Sequence, residues 1–112
     1  MPNYYVRSRT HGGDFAFHGR YFKMRILYSK SAIRTILSMP EAEVNILLRD
    51  IKGVLRDPPA GNIIPLSGFP DRRKFVRSGK RYAIFKQTVF KEKPILYVMD
   101  ILTEEDLDYY TN

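Results

Sequence analysis

Arg72-Arg73-Lys74-Phe75-Val76-Arg77-Ser78-Gly79-Lys80-Arg81-Tyr82-Ala83-Ile84-Phe85-Lys86-Gln87-Thr88-Val89-Phe90 is the stretch on which the fold turns. Ser78-Gly79 is turn chemistry between two runs rich in aromatic and β-branched residues, which predicts a strand over 72–77 and a second from about Arg81 to Phe90. Lys91-Glu92-Lys93-Pro94 turns the chain again, and Ile95 to Leu102 is nearly continuous apolar sequence, as a central strand covered on both faces requires. Thr103 with Asp106 three residues on resembles a capping box and opens a short helix through Leu107 to Tyr110.

Upstream, Met24 to Tyr28 reads as a strand, and Ser29-Lys30-Ser31 can cap a helix that starts near Ala32 and carries Ile33, Ile36 and Leu37 on one face. Pro40 interrupts it. Val44, Leu47, Leu48, Ile51, Val54 and Leu55 then recur at three- and four-residue steps, the mark of an amphipathic helix, with Glu41 and Glu43 at its positive end. That helix is expected to end near Asp57, before Pro58-Pro59-Ala60-Gly61, and 63–71 to form a linker. The order predicts an α+β fold: a small antiparallel sheet, hairpin plus meander, with two helices on one face.

A chain of 112 residues makes one domain at 24–112, preceded by an aromatic and basic extension, 1–23. Three readings of that extension are open: translated sequence before a second start at Met24, an arm packed on the core, or a nucleic-acid arm. His11 and His18 flank its Gly12-Gly13 and are read as solvated or packing residues. With no Cys, disulfide scaffolds and thiolate metal sites are excluded. No nucleotide loop, zinc spacing or Ser/His/Asp set stands out, so no cofactor and no metal are expected. No apolar run reaches the roughly 18 residues of a membrane helix, and a cytoplasmic protein with no membrane partner is the expectation.

The excess charge has an address. Residues 72–93 hold nine Lys and Arg against one acid, whereas 94–112 carry five acids and no base. Repulsion among so many cations on one hairpin favours a polyanionic partner over a merely solvated surface. The acids Glu104, Glu105, Asp106 and Asp108 either start a solvated helix or shield the basic hairpin.

The order of elements, the helix closing with Leu55-Arg56-Asp57-Pro58, and Leu66-Ser67-Gly68-Phe69-Pro70-Asp71 leading into a basic strand together resemble the RelE/ParE superfamily of bacterial toxins, over about 24–112. The resemblance implies a microbial-RNase-like sheet and a cognate antitoxin that neutralises the toxin. It also implies one of two targets: messenger RNA on the ribosome for the RelE branch, DNA gyrase for the ParE branch. A brief first helix and the Gly-x-Pro-Asp run, Gly68 to Asp71, favour RelE. By that pattern Lys74 falls on the first strand lysine and Tyr110, or Tyr109, on the terminal tyrosine; Val76, Ala83 and Glu104 stand where the pattern has a second lysine and two arginines.

Metal-free RNA cleavage needs an acceptor for the 2′-hydroxyl proton, cations for the phosphorane, and an acid for the leaving oxygen. The candidate catalytic set is Lys74, Arg77, Arg81 and Tyr110, with Arg72, Arg73, Lys80 and Lys86 binding substrate, and Lys74 or Lys80 the candidate base. Alternation separates Arg72, Lys74 and Val76 from Arg73, Phe75 and Arg77. With Phe75 taken as the core residue, Lys74 is expected in a cleft and Arg73 paired with Asp100. Tyr82 and Tyr97 are read as core residues, or as platforms for bases. The function expected is a ribosome-dependent mRNA endonuclease toxin; the alternatives are a gyrase inhibitor without RNase activity and a non-toxic relative that binds an antitoxin.

Overall fold

The computed structural model describes residues 3–4, 24–56 and 59–111. The extension's histidines and most of its aromatics, with Asp57 and Pro58, lie outside the described residues. A short strand β1 (Asn3–Tyr4) precedes β2 (Arg25–Ser29), helices α1 (Lys30–Ser38) and α2 (Glu41–Gly53), strands β3 (Ile63–Pro65), β4 (Lys74–Ser78), β5 (Arg81–Phe90) and β6 (Lys93–Leu102), and α3 (Glu104–Thr111). They form an α+β fold around one sheet of order β1-β2-β6-β5-β4-β3. Among the described residues no helix is long and apolar enough to cross a membrane.

The sheet is mixed rather than antiparallel. β2 and β6 run parallel, with Ile26 opposite Leu96 and Tyr28 opposite Val98, a pairing open to them because two helices and three strands separate them in the chain. The other pairings are antiparallel. β3 occupies what reads in the sequence as linker. Its Pro65, lacking an N–H, is tolerated because β3 is an edge strand.

Local chemistry explains the element ends. The Ser29 hydroxyl accepts from the Ala32 N–H at 2.9 Å and donates to the Met99 carbonyl at 2.5 Å, capping α1 and tying it to β6. α2 stops at Gly53, short of Asp57, because the N–H groups of Val54, Leu55 and Arg56 reach back three residues and the Ala60 N–H takes the Gly53 carbonyl at 2.9 Å. That return holds Ala60 so close that a Cβ on residue 53 would lie 3.2 Å from the Ala60 Cβ. Gly79, at φ 62, makes the two-residue turn from β4 to β5, and Lys91 and Glu92, both at positive φ, make the next one. The Thr103 hydroxyl accepts from the Asp106 N–H at 3.2 Å at the start of α3.

The core lies between the sheet and α1–α2. Leu47, Ile51, Val54 and Leu55 pack on Ile26, Tyr28, Val76, Phe85 and Val98. Leu37 is 81% exposed, since the inward arc of α1 centres on Ala32, Ile36 and Met39 and Leu37 falls beyond Ile33. Val76, not Phe75, is the core residue of β4: it pairs with Ala83, which in turn pairs with Ile101, on the face the helices cover. Phe75 lies on the other face, half-buried.

Candidate nucleic-acid interface

A closed loop builds the site. The Leu66 N–H donates to the Arg73 carbonyl at 3.0 Å and the Arg72 N–H to the Phe69 carbonyl at 3.2 Å. Within it Arg72 adopts φ 57, the left-handed region. Here the side chains two apart, Asp71 and Arg73, meet.

Arg73 is the hub. Its Nε and Nη2 donate to the two Asp71 carboxylate oxygens at 2.9 and 2.6 Å, a bidentate fork, and its Nη1 donates to the Tyr110 hydroxyl. The guanidinium carbon lies 4.3 Å from the centre of the Phe69 ring, which stacks on the Tyr110 ring at 5.4 Å. Lys86, reaching from β5, donates to the same Asp71 carboxylate at 3.3 Å. One acid thus holds two cations beneath a phenol.

Hydrogen bonding from Arg73, reinforced by Lys86, holds the Asp71 carboxyl well below the usual carboxylate range. The same bond to Asp71, with that to Tyr110, raises Arg73 further above its ordinary value. An acid whose folded value is depressed contributes stability at every pH above its unfolded value, about 3.9, and loses it as the pH falls toward the folded value. Asp71→Asn is therefore expected to lower the urea midpoint by a constant amount between pH 7 and 5, the gap to wild type closing below about pH 4. A gap that persists unchanged at pH 2.5 contradicts this.

The predicted residues divide between the two faces of the sheet. Arg73, Lys86 and Tyr110 come together as described. Arg77 shares their face and lies over Tyr82, 5.9 Å from its ring centre. Lys74, paired with Phe85, and Arg81, paired with Ser78, belong to the face of Val76 and the helices, so the structure does not join them to Tyr110. Arg72 and Lys80 are exposed on the loop and the hairpin turn. Arg73 does not pair with Asp100, which accepts from the Ser31 hydroxyl at 2.8 Å at the start of α1. Tyr97 is half-buried; burial and the Asp100 charge raise its phenol above the ordinary value.

Asp71 and Phe69 escape the sequence reading as site residues, although the Gly68–Asp71 run that contains them stands out as a feature. Among the described residues, the ion pairs within 4.0 Å are Arg49–Asp50, Arg73–Asp71 and Lys86–Asp71. Arg72, Lys74, Arg77, Lys80, Arg81, Lys91 and Lys93 accordingly have no carboxylate partner among them. The terminal acids Glu104, Glu105 and Asp106 occupy the first turn of α3, where its positive end favours them, rather than pairing with the hairpin. No group of three or more His, Asp or Glu among the described residues could hold a metal ion.

No family model, curated protein or solved structure matches this chain.

Proposed function

We propose that this chain is the toxin of a RelE/ParE-like toxin–antitoxin pair and that it cleaves messenger RNA on the ribosome. One observation carries the reading: Arg73, Lys86 and Tyr110, from a loop, a strand and a helix, converge around Asp71 on the sheet face away from α1 and α2, beside a hairpin rich in Lys and Arg. In the cleavage, the 2′-hydroxyl attacks the adjacent phosphorus, the bond to the 5′ oxygen breaks, and a 2′,3′-cyclic phosphate and a 5′-hydroxyl result. Arg73, with N–H donors left over from its bonds to Asp71 and Tyr110, steadies the phosphorane. Because the Tyr110 oxygen accepts from Arg73, its own O–H is available to protonate the leaving oxygen. Asp71, held by two cations, is no base, so the 2′ proton passes to solvent.

In a translating extract the protein is expected to cut reporter mRNA in phase with codons, leaving 5′-hydroxyl ends. Tyr110→Phe, which keeps the ring stack but removes the acid, is expected to slow cutting by about 10²-fold or more. A second reading, gyrase inhibition without RNA cleavage, draws on the separation of Lys74 and Arg81 from Tyr110. Intact mRNA together with trapped gyrase–DNA complexes would establish it instead.

A further inference from the structure

Arg73 and its cluster leave another part of the same face unexplained. Arg77, two positions beyond Phe75 on β4, is exposed and has no carboxylate within 4.0 Å among the described residues. Its Nε donates to the Gly79 carbonyl at 2.9 Å, which fixes the guanidinium over the ring of Tyr82, its partner across the hairpin. Phe75 meets Tyr82 edge-on, at 5.7 Å and 73°, and steadies that ring from the side. The guanidinium thus stands beside the Tyr82 ring, its carbon 5.9 Å from the ring centre, and the Arg77 side chain is exposed.

We infer that Arg77 and Tyr82 form a second nucleotide subsite, in which an unpaired RNA base stacks on the outer face of the Arg77 guanidinium while a neighbouring phosphate takes its remaining N–H donors. This rests on the RNA-binding reading above and adds to it the register of the strand. Unpaired bases stack on arginine planes and aromatic rings, and Arg77, held by the Gly79 carbonyl beside Tyr82, offers such a plane. A phosphate needs donors that are not already bound to an acid, and Arg77, whose Nε alone is taken by the Gly79 carbonyl, has more of them free than Arg73, which keeps only the two left over from Asp71 and Tyr110. Arg73, in the loop just before β4, and Arg77, on β4, stand four residues apart, about 13 Å at the rise of an extended chain. A single strand with splayed bases meets both units; a duplex hides its base faces in the stack.

The test uses the whole protein and fluorescence anisotropy with a short single-stranded RNA and an abasic ribose-phosphate oligomer of the same length. Wild type is expected to bind the base-bearing RNA about tenfold more tightly than the abasic oligomer. Arg77→Lys keeps the charge but not the plane; it is expected to retain the salt dependence and to lose that preference. Tyr82→Phe should retain the preference and Tyr82→Leu lose it, with circular dichroism confirming that each variant is folded. Undiminished preference in Arg77→Lys, or equal binding of the two oligomers by wild type, overturns the subsite. If Arg73→Ala weakens RNA binding while Arg77→Lys changes nothing, the subsite falls and the toxin reading stands. If wild type binds neither oligomer, the subsite falls, while the toxin reading stands or falls by codon-phased cutting in the translating extract.

Discussion

If the proposed toxin activity holds, Arg73→Ala is expected to lower messenger RNA cleavage in a translating extract by about 10²–10³-fold, the loss that follows when a fixed donor to a developing oxyanion is removed. The effect is large because Arg73 has several tasks at once. It is the bidentate partner of Asp71, the donor to Tyr110 and the cation over Phe69. Without it the Asp71 carboxylate keeps only Lys86, and Tyr110 loses the bond that sets its hydroxyl. Arg73→Lys does not rescue, since an ammonium cannot grip both carboxylate oxygens and reach the phenol together. Primer extension on the reporter mRNA measures the outcome, and an Arg73→Ala protein that cuts at the wild-type rate removes the cluster from the mechanism.

Leu47→Ala is expected to lower the unfolding free energy by about 2–5 kcal/mol. Leu47 is 1% exposed and sits midway along α2 against the sheet, where rigid strands limit collapse into the space left by the missing methyls. A urea titration checks this: the midpoint falls while the slope stays constant. The same change at the exposed Leu37 should cost little, and equal losses at both positions would mean that the inward face of the helices is misassigned.

The α2 reading succeeds because its information is local. Val44, Leu47, Leu48, Ile51, Val54 and Leu55 all face the core or pack against it, and their spacing alone encodes that face. Ser29 and Thr103 announce their helices for the same reason, each hydroxyl binding a backbone N–H three residues on. What the sequence conceals is relational. β3 has only three residues and one of them is proline, so its strand character comes from β4 beside it rather than from its own composition. The direction of β2 relative to β6 leaves no trace in the alternation of either. Alternation in β4 correctly separates Lys74 and Val76 from Phe75 and Arg77, but which set faces the helices depends on the register with Ala83 and Ile101.

The site obeys the same division. The basic hairpin is plain from composition, and Tyr110 is reached through the family resemblance. The partner of Arg73 is not: with Phe75 taken as the core residue, Arg73 on the same face calls for an acid on the central strand, whereas the turn with Arg72 at positive φ brings Asp71 onto its guanidinium. A positive φ on an arginine carries no compositional signal, and the Asp71 carboxylate beside it reads as part of a loop.

The parallel seam between β2 and β6 has a consequence for biosynthesis. The Ser29 hydroxyl and the Met99 carbonyl it binds are separated by 70 residues, so β2 waits for the synthesis of β6 before it finds that neighbour. β6 also stands between β2 and β5, and until it emerges the early strand is not joined to the β3–β5 part of the sheet. A nascent chain still short of β6 lacks the central partner of β2 and leaves apolar side chains of that strand open to the surrounding chaperones.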